Sequence, residues 1–185
     1  MSLYADLFPY RANPIKRIAA YLIDALAIVV LHQLFYWAVG DATLGDIDLR
    51  ALSFFGLNWF LIGALYWSWE GLTGKALGKH LLKLEITDRS AEAASTGQLF
   101  LRSFLKNIFV FIMLGVYAVG LLGGAALVWV LFLLGLLFWV IFAAGYFFML
   151  ADSKLALHDR ITKTAVYPSS VLEGLPQELD EEQWV

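Results

Sequence analysis

From Asn107 to Leu150 the chain runs for 44 residues without an Asp, Glu, Lys, Arg or His. As one straight helix that stretch would be roughly 66 Å long at about 1.5 Å per residue. The hydrocarbon layer of a bilayer is only about 30 Å thick. The stretch therefore has to cross a membrane and turn back. Gly120-Leu-Leu-Gly-Gly124 is the natural reversal point, because clustered glycines reach the positive φ angles of a tight turn. This predicts helices over 104–121 and 125–150. Composition agrees: 61% of the 185 residues are hydrophobic and 16% charged, against about 45–50% and about 25% in soluble domains. A plain soluble enzyme is excluded. There is no cysteine, hence no disulfide, thiolate metal site or cysteine nucleophile. A net charge of −3 gives no overall pull toward nucleic acid.

Two more apolar runs, 18–38 and 51–69, complete an all-α membrane protein with a four-transmembrane-helix bundle. The first is too long for a cleaved signal, whose apolar core covers about 7–15 residues, and it contains an aspartate. Twelve of the 13 basic residues fall before helix one, between helices two and three, or after helix four. The positive-inside rule then puts both termini and the central segment in the cytoplasm. The expected division is a cytoplasmic segment 1–17, a membrane domain 18–167 and an acidic cytoplasmic tail 168–185. Trp37, Trp67 and Trp69 are expected at the membrane interface, and Trp59, Trp129 and Trp139 as packing residues.

About 30 residues separate helices two and three, too many for a simple turn. Within them Leu77, Leu81 and Leu82 oppose Lys75, Lys79 and Lys83, a basic amphipathic segment suited to an anionic lipid surface. Leu84-Glu-Ile-Thr87 alternates like a strand, and Asp88-Arg89-Ser90 reads as a turn. Thr164-Ala-Val-Tyr167 is its expected strand partner. Ser95 or Thr96 is placed to cap a helix from Gln98 to Lys106 that feeds helix three.

Asp24 is the outstanding candidate for function. It lies seven residues past Arg17, about 10 Å into the membrane, where an aspartate costs about 2.5–3.5 kcal/mol and faces the bundle interior. Arg17 shares its helical face, but an arginine side chain leans toward its own helix's N-terminus and away from Asp24. Asp24 is therefore expected to meet Arg102 or Lys106, and Arg17 to pair with Asp152 or Asp159. His32 and Asn58 lie at similar depth in the outer half. They either extend a polar path from Asp24, or His32 is neutral and bonded to Asn58 or a backbone carbonyl. His158 and Asp159 with His80 are too weak a set for a metal site, and no phosphate loop, HExxH or nucleophile elbow is present. Neither enzyme activity nor a cofactor is expected.

These residues together resemble the RDD family of small, mostly bacterial membrane proteins, named for an arginine and two aspartates. Arg17-Ile-Ala-Ala-Tyr-Leu-Ile-Asp24 is similar to the family's first element. Thr73-Gly-Lys-Ala-Leu-Gly-Lys-His-Leu-Leu-Lys-Leu resembles its Gly-Lys stretch, and Ser95 to Arg102 its approach to the third helix. Leu157-His-Asp-Arg-Ile-Thr-Lys-Thr164 resembles its closing His-Asp element, which makes Asp159 the second aspartate. Ser153-Lys-Leu-Ala156 departs from the more polar, Gln-containing run of many relatives. The resemblance implies an inner-membrane location and a small transporter exchanging a cation for protons. Asp24 would titrate and Arg17 with Asp159 would form a cytoplasmic gate, in a homo-oligomer, since four spans enclose little room. The alternative is a non-transporting scaffold or assembly partner in which Arg17, Asp24 and Asp159 are structural.

Overall fold

A computed structural model describes residues 10–39, 43–44, 47–48 and 56–174. Helix α1 runs Pro14–Val39. Pro14 suits a first helical position, where no N–H partner is needed, and the Asn13 side chain accepts from the Ile15 N–H at 2.8 Å. Beyond it, Thr43–Leu44 (β1) and Ile47–Asp48 (β2) pair antiparallel. The described part of the expected second span is α2, Leu57–Thr73; residues 51–55, where that span was expected to begin, lie outside the described residues. Gly74 ends α2 at φ +68°, its N–H returning to the Glu70 carbonyl at 2.8 Å, a left-handed C-cap.

The short helix α3, Leu77–Leu81, leads into strand β3, Leu84–Asp88. Strand β3 pairs antiparallel with β4, Thr164–Pro168, in the register Glu85 to Tyr167 and Thr87 to Ala165. The expected pairing of 84–87 with 164–167 is thus present. Asp88 makes the expected turn, its side chain accepting from the Ser90 and Glu92 N–H groups. Helix α4, Thr96–Lys106, carries a full capping box between Ser95 and Gln98, which satisfies two of its free N-terminal donors. Helix α5, Ile108–Leu121, and α6, Ala125–Gly145, pack side by side after a reversal in which Gly123 has φ +79°. Residues Tyr146–Leu150 tighten into a 3-10 turn. Helices α7, Leu157–Thr162, and α8, Ser169–Glu173, flank β4. Most of the expected acidic tail, 175–185, lies outside the described residues.

Helix three departs from expectation. It is broken at Asn107, and α4 and α5 meet at 70°. The Asn107 side chain donates to the Ser103 carbonyl at 3.0 Å, a local bond that competes with helix continuation. Ser103 in turn donates to the Trp67 carbonyl at 2.6 Å, which holds α4 across α2 instead of in line with α5. Among the described residues two helices, Pro14–Val39 and Ala126–Leu150, are long and apolar enough to cross a membrane, and the bent pair adds a third if it counts as one span.

The core of fully buried side chains lies at the polar end, beneath the strand pair, where Ala12, Ala20, Leu84 and Val166 form one cluster and Leu155, Ala165 and Tyr167 another. The long helices expose leucines and aromatics along their flanks, as a lipid-covered surface does. Trp37 and Trp69 are exposed as expected of interfacial residues, but Trp67 is buried and stacked on Tyr21, with ring centroids 5.6 Å apart. Trp129 and Trp139 face outward, not inward.

Helix α3 lies directly on α1 at Gly78, where an added Cβ would stand 2.0 Å from the Ala20 carbonyl oxygen. Backbone cannot give way as a flexible side chain can. Gly78→Ala is expected to destabilise by at least about 1–3 kcal/mol, the usual range for overpacking, read as a lowered unfolding temperature in detergent. Gly97→Ala, with open space around it, should leave that temperature unchanged or slightly higher.

Candidate functional site: a buried ionic network beneath the strand pair

Asp159 sits near the start of α7 and is 0% exposed. Its Oδ2 accepts from Arg17 and, at 3.1 Å, from the Ala156 N–H. Its Oδ1 accepts from Arg102 Nε at 2.8 Å. Arg17 also donates to the Lys154 carbonyl at 2.8 Å. Arg102 reaches on toward Glu70, its Nη1 standing 3.7 Å from Oε1, too far for a hydrogen bond. Glu70, 1% exposed, is held by Lys79 and by Lys106, the latter at 2.7 and 3.0 Å. Lys106 Nζ also lies 4.1 Å from the Trp67 ring centroid, a cation–π contact. The chain Arg17–Asp159–Arg102–Glu70–Lys79/Lys106 thus ties α1, α7, α4, α2 and α3 together.

Asp24 is held differently. It is 1% exposed, and its Oδ1 accepts from the Tyr66 hydroxyl at 2.6 Å and the Gly78 N–H at 2.7 Å. The Tyr66 oxygen accepts in turn from the Leu77 N–H at 3.1 Å. The expected partners Arg102 and Lys106 are instead drawn to Asp159 and Glu70, which corrects that assignment. Between the two expected partners for Arg17, the structure has Asp159, while Asp152 is exposed in the turn before α7. His32 meets Trp59 edge-on, with centroids 5.3 Å apart, next to the buried Asn58. Eight residues of α1, about 12 Å, separate His32 from Asp24, and Ala25 to Leu31 are all apolar, so α1 carries no polar path between them.

Glu70 and Tyr66 were not singled out from the sequence. Glu70 follows directly on an uncharged run, and a carboxylate closing a span needs a buried cation as soon as it faces inward. That need inverts α3. Lys79 turns inward, 6% exposed, and Leu77 and Leu81 are exposed, the reverse of the expected amphipathic arrangement for Lys79. Lys75 and Lys83 remain outside.

A cavity of about 30 Å³ opens among Arg17, Tyr21, Asp24, Lys79, Arg102, Lys106, Tyr146 and His158, enough to admit water. A second, apolar cavity of about 310 Å³ between α1, α5 and α6 shares Tyr21, Lys106 and Tyr146 with it. Burial pushes the His158 imidazole down to about 3 against the opposing pull of Asp159, and the nearby Arg102 and Arg17 add to the fall. Burial acts to raise the Asp159 carboxyl, but Arg17 and Arg102 overcome it and hold the group well below the usual carboxylate range. Among the described residues, no three His, Asp or Glu side chains gather where they could hold a metal ion.

Apolar helices laced at one end by buried ion pairs define a membrane protein. The chain belongs to the RDD family, whose profile matches residues 11–163, a range that takes in every member of the network. No curated protein and no solved structure matches the chain.

Asp159→Asn leaves Arg17 and Arg102 buried beside a neutral group. It is expected to cost about 3–5 kcal/mol in a denaturant titration in detergent, whereas Glu85→Gln on the exposed side of β3 should stay within about 0.5 kcal/mol. His158 is neutral in the folded protein down to about 3, while an unfolded histidine takes a proton near about 6.5. The unfolded chain then binds more protons in that window, so stability falls as pH drops through it. Asp159 adds a further loss once pH falls below the unfolded aspartate value of about 3.9. Unfolding temperatures from pH 8 to 4 should show the decline, and His158→Gln should flatten it.

Proposed function

We propose that this RDD family protein is a small proton-coupled transporter of the cytoplasmic (inner) membrane, with Asp24 as the carboxylate that takes up and releases the proton. The observation that carries this reading is how Asp24 is held: buried, in the wall of a water-sized cavity, and bonded by the neutral Tyr66 hydroxyl and Gly78 N–H. A carboxylate committed to ion pairs, as Asp159 and Glu70 are, cannot take a proton without stranding its cations. Asp24 can, because both of its donors still find an acceptor oxygen on the neutral acid.

In this reading the chain crosses four times, with 51–69 as the second span and both termini in the cytoplasm, as the distribution of Lys and Arg supports. The exposed Leu77 and Leu81, flanked by Lys75 and Lys83, are suited to rest on the anionic cytoplasmic leaflet. Arg17 and Asp159 close the cavity toward the polar end and form its gate. The cation exchange implied by the family resemblance would bring a second cation among Arg17, Lys79, Arg102 and Lys106. Repulsion between like charges in a buried site opposes such a cation. Few residues of the spans are buried within the chain, 17% of the most apolar stretch of Pro14–Val39 and 11% of that of Ala126–Leu150, which leaves room for a homo-oligomer.

A second reading has support of its own. Asp159 and Glu70 are fully engaged by cations, as in a structural clamp, and a non-transporting scaffold needs nothing more. Proteoliposomes with an internal pH-sensitive dye separate the two. Wild-type protein should dissipate an imposed pH gradient, and Asp24→Asn should abolish that flux while its unfolding temperature stays near wild type. Undiminished flux in the variant removes Asp24 from the mechanism. Folded wild-type protein that carries no flux with any counter-ion leaves the scaffold.

A further inference from the structure

We infer that the polar cavity is a binding site for a small monovalent inorganic anion of about chloride size. Four cationic side chains line it, Arg17, Lys79, Arg102 and Lys106, and Asp24 is the one carboxylate in its wall among the described residues. Across the whole network, these four cations face three carboxylates, Asp24, Glu70 and Asp159, which leaves one positive charge unanswered. The cavity's polar atoms repeat the message. Arg102 Nη1, the Tyr146 hydroxyl and both ring nitrogens of His158 are buried without a hydrogen-bond partner, although His158 Nε2 stands 3.4 Å from Asp159 Oδ1. Arg102 is 3% and His158 1% exposed, and all three residues line the same 30 Å³ space.

Buried donors without acceptors are costly, and three of them converge here with the surplus charge. An anion accepts from Arg102 Nη1, from the Tyr146 O–H and from the N–H of a neutral His158, and it supplies the missing negative charge. Water answers the hydrogen bonds but not the charge. The space of about 30 Å³ favours a compact anion over phosphate, sulfate and organic anions. Asp24 faces the same space, so its negative charge opposes the anion, and neutralising Asp24 tightens binding. Proton and anion occupancy are then linked, each raising the affinity for the other.

The test reads binding directly and needs no flux. Purified protein in detergent and gluconate buffer is titrated with sodium chloride, and the chloride-35 NMR line width is followed. Wild type should give saturable broadening that bromide and nitrate displace and phosphate does not. Tyr146→Phe removes one unpartnered hydroxyl and no described hydrogen bond, and it should weaken binding roughly tenfold. Asp24→Asn keeps an oxygen for Tyr66 and Gly78, and it should tighten binding roughly tenfold. Lys75→Gln, an exposed lysine, should change nothing. Broadening that is the same in all four proteins places the anion on the surface and overturns the proposal. Absence of saturable broadening from folded wild type overturns it too, and a proton lost from Lys106 then answers the surplus charge. A chloride site without flux removes the transport reading and leaves this one standing; flux without a chloride site does the reverse.

Discussion

An ionic group taken out of water needs either an opposite charge at contact distance or enough hydrogen bonds to replace its hydration shell. At the polar end of this chain seven ionic side chains are buried together, and the surrounding elements take up positions that give each one a charged or hydrogen-bonding partner. Asp159 brings α7 against α1 and α4 because Arg17 and Arg102 both have to reach it. Glu70 pulls α3 inward because Lys79 has to reach it. The strand pair β3–β4 then covers the network, with Val166 and Leu84 packed over Ala20. Replacing such a cluster with apolar residues often costs nothing in stability, so its worth lies in fixing which helix meets which.

Within that arrangement Asp24 is the exception, and the exception is built from local geometry. Gly78 has no Cβ, so α3 comes close enough for its N–H to meet the carboxylate. Tyr66, one turn before Glu70 on α2, supplies the second donor. The Glu70–Lys79 ion pair and the two donors to Asp24 thus come from neighbouring residues of the same two helices, α2 and α3. Structural charge pairing and a carboxylate held only by uncharged donors share one small volume.

Much of the frame is legible in the residues alone. The 44-residue uncharged stretch and its glycine turn define α5 and α6, because bilayer thickness leaves no other solution. The alternation in 84–87 and 164–167 predicts a pairing across some 80 residues, because no other strand-like segment on that face competes. Arg17 finds Asp159 as one of the two acids near enough after helix four. What stays hidden is where competition between partners decides. Arg102 and Lys106 stand at the right depth for Asp24, but they reach Asp159 and Glu70 instead, while Asp24 is met by Tyr66 and a backbone N–H. Lys79 reads as outward in any helical projection, and only the buried Glu70 reverses it. The break at Asn107 likewise depends on Ser103 finding the Trp67 carbonyl, a contact between elements that no local pattern encodes.

The two ends of the network are far apart in sequence: Arg17 and Asp159 are separated by 142 residues. During synthesis the arginines, the lysines and Glu70 are all made before the acid that completes the circuit. A chain that stops short of α7 therefore holds an excess of unpaired positive charge at its polar end and cannot seat its helices in their final contacts. Glu70 with Lys79 and Lys106, and Asp24 with Tyr66 and Gly78, need nothing from α7, so it is the Arg17–Asp159–Arg102 part of the network that waits for the final element. Late, long-range closure of this kind makes assembly slow and leaves partial products recognisably different from the finished protein.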